Sequence, residues 1–595
     1  MEFFFGINAK MNKKIGFFYN LKILLLINSF SRKSLLSLNK KETKKINKQM
    51  ISNLSYSSGV SQYPLLGETI GENLRNTVAK YPQQEALVCV DQNYRATYTE
   101  FYSQTEQIAK SLIAIGLQKG DRVGIWAPNR AEWTLLQYAT ARIGMILVNL
   151  NPAYRENELE FVLNQAEISA VFASLKFKTS DYKTMLTNVK HNTPMLEHIV
   201  IFEDDWDTFL TQGEETSTSE IHQIEQSVQF DDAVNIQYTS GTTGFPKGVT
   251  LTHHNLLNNG FFIGVRLNYT HRDRVCIPVP FYHCFGMVIG NMACTSHGAC
   301  MVIPSDSFDP EKALNAVELE KCTSLYGVPT MFIAELELPN FDRFDLSSLR
   351  TGVMAGSPCP IEIMKKVQSK MNMKEISICY GMTETSPVST QTIIGTPLEK
   401  QVSTVGTVQD HLEIKIIDPQ TGEILPRGIA GEFCTRGYSV MQKYWNNPEA
   451  TAQVIDENNW LHTGDLATMD VEGYINITGR IKDIIIRGGE NISPKEIEDF
   501  LYEHEAISDV QIIGVPSIKY GEEVMAWVKV KDGVNLTEDE LKEYCFSIAH
   551  FKRPKYWKFV TAFPMTISGK IRKIEMREIS IKELGLENAK KVKTS

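Results

Sequence analysis

From residue 81 onward, short apolar runs alternate with helix-length segments, and this alternation limits the fold more than any other feature. A helical pattern over 100–115 leads through Gly120-Asp121-Arg122 to the apolar run Val123-Gly-Ile-Trp126. A helix over 131–143, a strand over 145–150 and a helix over 156–164 follow. Such text folds as βαβ units around mostly parallel sheets. At 595 residues the chain also exceeds one compact core, given roughly 100–200 residues per domain. The end of the chain reads differently. Ser493-Pro494-Lys495-Glu496 spells a capping box with proline at the first helical position, and the helix it opens puts Ile497, Phe500 and Leu501 on one face. Thr537-Glu-Asp-Glu540 opens a second capped helix, and strands are expected at 509–515 and 522–530, the latter alternating Val524, Ala526, Val528 and Val530. The expected class is α/β: a large N-terminal domain of βαβ-built sheets over 59–480 and a smaller C-terminal α+β domain over 481–595.

Charge is uneven. Residues 1–50 hold eleven Lys or Arg and two acids, Glu2 and Glu42, so they carry +9 and leave −18 on the remaining 545. An acidic body excludes a nucleic-acid binder, whose usual footprint is a basic face. The longest early apolar run, Ile23 to Ile27, is far short of the ~20 residues of a membrane span. Basic, Ser-containing and acid-poor, residues 1–58 fit a mitochondrial transit peptide or a basic leader without address, and are left out of the fold. Residues 203–232 hold ten acids and no Lys or Arg, and read as a solvated connector. Ten cysteines without a single C-x-x-C pair point to free thiols in a reducing compartment and against structural zinc.

The strongest chemical signal is Tyr238-Thr-Ser-Gly-Thr-Thr-Gly-Phe-Pro-Lys-Gly-Val249, after a strand over 234–238. Glycines let backbone approach an anion, hydroxyls donate to it and Lys247 adds charge, which suits a polyphosphate. It is not a Walker A loop: aligned from Gly241, Pro246 falls at the second glycine and Gly248 at the Ser/Thr. Thr463-Gly464-Asp465 taken alone is a turn with a capping Asp, His283 an ordinary histidine in the aromatic loop Pro280-Phe-Tyr-His-Cys-Phe-Gly286, and Lys570 one more lysine beside Arg572 and Lys573.

This loop resembles the signature of the adenylate-forming, AMP-binding enzymes: acyl-CoA synthetases, luciferases and peptide-synthetase adenylation domains. The family's other motifs follow in order as Tyr380-Gly-Met-Thr-Glu-Thr385, Tyr444-Trp445 with Pro448-Glu-Ala-Thr451, Thr463-Gly-Asp465, Gly479-Arg-Ile-Lys-Asp483 and Ser568-Gly-Lys570. Pro64-Leu-Leu-Gly67, Asn151-Pro-Ala-Tyr154, Tyr282-His-Cys284, Ile484-Ile-Ile-Arg-Gly-Gly-Glu-Asn491 and Thr566-Ile-Ser-Gly-Lys570 look like the mitochondrial medium-chain acyl-CoA ligase branch.

The resemblance implies roles. Thr239, Ser240, Gly241, Thr242, Thr243, Gly244, Phe245, Pro246, Lys247 and Gly248 would cradle the β- and γ-phosphates of ATP. Glu384 would hold Mg²⁺ and Thr383 would touch the α-phosphate. Tyr380 and Gly381 belong to the nucleotide site, with Asp465 on the ribose hydroxyls seconded by Arg480. Lys570 would be the catalytic cation of adenylation. His283, Gly356 and Ser357 would line the acyl pocket. A swivel of the mobile C-terminal domain about Lys482 would bring Gly488 and Gly489 to the channel for CoA. The basic stretch 550–555 fits either CoA phosphates or a solvated face. Two departures matter: Asn491 stands where acetyl-CoA-type relatives carry arginine, and Lys482 where some relatives carry Asp. The expected partners are small molecules (fatty acid, ATP and CoA), and the expected location is the mitochondrial matrix, with the cytoplasm as the alternative. One rival, an adenylating enzyme loading a carrier protein, is disfavoured because only 25 residues follow Lys570. The other, a non-catalytic metabolite-binding module, is disfavoured because Lys247, Glu384, Asp465, Arg480 and Lys570 are all intact.

Overall fold

The computed structural model describes residues 53–239, 246–356, 359, 361–488, 490–565 and 571–590. Of the expected site residues, Ser240, Gly241, Thr242, Thr243, Gly244, Phe245, Ser357, Gly489 and Lys570 lie outside these, as does nearly all of the leader.

The βα alternation builds two large sheets. In the first, His198–Ile201, Ile168–Ala173, Arg122–Trp126, Ile146–Asn149 and Ala233–Thr239 run parallel, and Lys247–Thr252 and Lys443–Tyr444 extend the sheet antiparallel. The expected elements are in place as Tyr98–Ala114, Arg122–Trp126, Ala131–Arg142, Ile146–Asn149 and Glu156–Gln165. In the second sheet Glu85–Cys89, Cys300–Ile303, Arg274–Cys276, Ser324–Gly327, Thr351–Ala355 and Glu375–Gly381 are parallel, with antiparallel strands at both edges. Both faces are covered, so these strands are rich in buried apolar residues, as Ile146, Leu147 and Val148 illustrate.

A third, wholly antiparallel sheet was not foreseen. It orders Tyr56–Ser58, Leu412–Ile417, Gly431–Gly437, Leu461–Met469 and Ile475–Arg480. Its first strand corrects the leader boundary. Ser55 is buried, its N–H donates to Leu425 O at 2.8 Å, and Tyr56 donates to Glu413 at 2.6 Å, so the fold begins before residue 59.

Beyond residue 483 the chain forms an α+β sheet around the hairpin Ile507–Ser517/Gly521–Val530, with Val524, Ala526 and Val528 buried against Ile497 and Leu501. The Thr537 capping box forms. The one at Ser493 does not: its hydroxyl donates to Thr478 O at 2.8 Å instead of capping Pro494–Tyr502. The acidic stretch is not a connector either. It folds as helices Phe202–Gln212 and Thr218–Ser227, and Glu225 accepts from the fully buried Arg142 at 2.6 Å. None of the ten cysteines, all of them among the described residues, is in a disulfide.

Candidate active site

Ligands of open α/β sheets bind beyond the carboxyl ends of the strands, and Thr239, Gly356, Gly381 and Glu384 lie at or just past such ends. Thr239 ends its parallel strand. Lys247 opens the return strand opposite it, with Thr239 and Lys247 in register. Tyr238 donates to Gln165, at the end of a helix, and Gln165 donates to Trp445 O at 2.7 Å. Trp445 N in turn donates to Gly248 O at 2.7 Å. The two stems of the glycine-rich loop are thereby fixed to their neighbours.

Glu384 sits in a short 3₁₀ turn, Thr383–Thr385, after the strand that ends at Gly381. A side chain at Gly381 would put its Cβ 1.7 Å from Pro387 O, so only glycine fits this crossing. Glu384 is 6% exposed. Its Oε1 accepts from Tyr444 OH at 2.8 Å, and its backbone O accepts from Met441 N at 2.9 Å. Lys247 Nζ lies over the Tyr444 ring, 5.0 Å from its centroid. No ion pair is made by Glu384 among the described residues. A buried oxygen donor without a cationic partner fits a hard divalent ion.

On the third sheet, Asp465 and Arg480 face each other in register on neighbouring strands. Asp465 is 5% exposed. Arg480 Nε donates to its Oδ1 at 2.9 Å and Tyr380 OH to its Oδ2 at 2.6 Å. The Asp465 carboxylate raises the affinity of the Arg480 guanidinium for its proton, and burial together with Asp465 holds the Tyr380 phenol well above its ordinary value. Tyr380, Asp465 and Arg480 therefore form one hydrogen-bonded unit, and the Tyr380 strand leads directly to Glu384.

His283 is half-buried against the Tyr282 ring, at 4.3 Å between centroids, just before the π-helical segment Phe285–Met292. Its neighbour Cys284 donates to Gln237 Oε1 at 3.2 Å, on the strand that leads to Thr239. Gly356 directly follows the strand Thr351–Ala355, which runs beside the strand of Tyr380. Gly488 is elsewhere, in the turn between Ile485–Arg487 and Glu490–Ile492, donating to Tyr520 O at 2.8 Å. Lys482 is exposed in the 3₁₀ turn Ile481–Asp483, directly after Arg480. Sequence reasoning gave no role to Tyr444 or Gln165. Tyr444 belongs to the motif Tyr444-Trp445, whereas nothing local in the sequence marks Gln165.

Residues 74–445 match the AMP-binding enzyme family and residues 496–570 its C-terminal domain. The chain belongs to this family of adenylate-forming enzymes. It is 46% identical to YngI of Bacillus subtilis (strain 168), over 88% of this chain and 99% of that one. It is 45% identical to the mitochondrial medium-chain acyl-CoA ligase ACSF2 of Danio rerio, over 89% and 91% of the two chains. Among solved structures, ATP-bound MatB from Rhodopseudomonas palustris superposes with a TM-score of 0.76 at 26% identity, covering 87% of this chain and all of that one.

Proposed function

We propose that this enzyme joins a medium-chain fatty acid to CoA at the expense of ATP, by way of an acyl-adenylate, with AMP and diphosphate as the other products. The observation that supports it best is the pairing of two buried carboxylates about the strand that ends at Gly381: Asp465 with Tyr380 and Arg480, and Glu384 with Tyr444 and Lys247. Similarity to a mitochondrial medium-chain ligase supports the acyl class and a mitochondrial location. No helix of the described residues is long and apolar enough to cross a membrane.

In this reading Asp465 accepts from both ribose hydroxyls, and Thr239 to Gly248 hold the β- and γ-phosphates. Thr383 donates to the α-phosphate. Glu384 is the residue to hold Mg²⁺, which when bound neutralises phosphate charge. The fatty carboxylate attacks the α-phosphorus and diphosphate leaves, while Lys570 stabilises the charge that develops. The C-terminal domain, 481–595, then turns about Lys482 and presents Gly488 and Gly489 to the pantetheine arm. The CoA thiolate attacks the acyl carbon, and AMP, a good leaving group, departs. His283, Gly356 and Ser357 border the acyl pocket. Each buried methylene there is worth about 0.8 kcal/mol.

CoA-dependent AMP release over a panel of acids tests the reading. Specificity constants are expected to peak at roughly C6–C12, since selection by apolar burial grows with each methylene until the pocket ends. A peak at acetate or C18 refutes the medium-chain assignment. AMP release without CoA consumption, with acyl groups passing to a carrier protein, refutes the CoA ligase.

A further inference from the structure

The strands that carry Glu432 and Asp465 are out of step where they meet. Glu432 pairs with Leu466 and Cys434 with His462, so Phe433 faces three residues, Thr463, Gly464 and Asp465. Such a bulge breaks the ladder, turns its side chains and leaves backbone groups in need of other partners. Thr463 Oγ1 donates to Phe433 O at 2.7 Å and accepts from Asp465 N at 3.1 Å. Gly464, with φ +71°, donates its N–H to Glu432 Oε1 at 3.1 Å. The second oxygen, Glu432 Oε2, accepts from His462 Nδ1 at 3.0 Å, and Asp456 lies 3.6 Å from His462 Nε2. Glu432 is thus a buried carboxylate whose two oxygens answer the bulge and the residue that opens it. A charged acceptor on a backbone N–H is the stronger kind of hydrogen bond. The groups of Glu432, Cys434 and His462 lie within 4.8 Å of one another, a spacing that also suits a divalent ion. N–H donors on both Glu432 oxygens account for the arrangement without one.

We propose that Glu432, steadied by His462, is a positioning residue: it fixes the bulge that aims Asp465 at the ribose hydroxyls of ATP. This rests on the reading of Asp465 as the ribose ligand. The test compares KM for ATP with KM for 2′,3′-dideoxy-ATP, which has no hydroxyls to offer. Glu432→Ala removes the acceptor. Glu432→Met fills the same buried space without accepting and decides the matter should the alanine variant not fold. Both are expected to raise KM for ATP about tenfold, while kcat and the KM values for fatty acid and dideoxy-ATP stay near wild type. Glu432→Gln keeps an oxygen for Gly464 N–H and is expected to keep most of the preference for ATP. A folded Glu432→Met enzyme with the wild-type preference overturns the proposal. So does equal loss with both nucleotides, the mark of general loosening, or a glutamine variant no better than methionine. Asp465→Ala is measured alongside. If it leaves the preference intact, the ribose reading itself fails. If it abolishes the preference and Glu432→Met does not, this proposal alone fails.

Discussion

Asp465, within a strand of the third sheet, and Glu384, in the turn just past a strand end, are both buried carboxylates, yet their surroundings are opposite. Asp465 meets a guanidinium at 2.9 Å and a phenol at 2.6 Å. Glu384 meets a phenol at 2.8 Å and makes no ion pair among the described residues. The first carboxylate is already neutralised and directed, so it can discriminate by hydrogen-bond geometry. The second is held in place with no ion pair among the described residues, so it suits a cation that arrives with the polyphosphate. The difference teaches that burial of an acid does not reveal its task; the groups around it do.

The largest expected effect breaks the comparison on the phosphate side. If charge developing at the α-phosphate is met by Lys570, then Lys570→Ala should slow acyl-AMP formation by about 10²–10³. Release of acyl-CoA from synthetic acyl-AMP and CoA should stay near the wild-type rate. Arg572→Ala is the control, being exposed and, among the described residues, ion-paired with Glu575 three residues on. Lys573 is unsuitable because its Nζ donates to Glu498 at 2.7 Å and to Ile512 O at 3.1 Å, tying the helix Lys573–Glu583 to the helix Pro494–Tyr502 and to the hairpin. Equal loss in both half-reactions of a folded Lys570→Ala enzyme refutes the division of labour.

Next in size, Glu384→Gln keeps the hydrogen bond from Tyr444 but removes the charge. Adenylation should fall about 100-fold, with little change in thioester formation from synthetic acyl-AMP. Full activity with unchanged Mg²⁺ dependence would remove Glu384 from the phosphate side.

Much of this contrast was legible in the sequence, and the reasons differ by region. The parallel sheets announce themselves because strands covered on both faces are continuous apolar runs, as at Val123-Gly-Ile-Trp126. The loop, Glu384, Asp465 and Arg480 could be named because their motifs are contiguous. The antiparallel sheet could not be assembled, since a period of two reports a strand and not its partner. Glu432 was silent for the same reason: its partners His462 and Gly464 lie some thirty residues on and meet it through a bulge. Ser493 misled because a hydroxyl takes the nearest good acceptor, and the fold puts Thr478 O there.

A paired substitution sharpens the comparison. Tyr380→Phe removes a donor from Asp465 and should raise KM for ATP about tenfold, leaving Mg²⁺ dependence alone. Tyr444→Phe removes the donor that orients Glu384 and should raise the Mg²⁺ needed for half-maximal rate about tenfold, leaving the preference for ATP over dideoxy-ATP alone. Each variant moving the other's observable would show that the two sides are not separate.

The smallest effect on activity is expected at a third buried acid, which shows what burial alone does. Glu335 lies in the helix Pro329–Leu336, 1% exposed, and among the described residues neither carboxylate oxygen has a hydrogen-bond partner. Burial drives its affinity for a proton far above the ordinary carboxylate value, and its charge would also oppose ionisation of the nearby Cys276 thiol. The sign follows from linkage. Below the unfolded-state value both states hold the proton and Glu335 exacts no cost. As pH rises past about 4.3 the unfolded chain releases the proton while the fold retains it, so stability falls by about 1.4 kcal/mol per pH unit until the folded group ionises too. Glu335→Gln has no proton to release. Denaturant midpoints of the two proteins should therefore lie close together near pH 4.5, and the glutamine variant should be the more stable by pH 7, with kcat and KM unchanged. A constant gap across that range would mean that Glu335 is ionised in the fold and paired, and that burial without partners is not its condition.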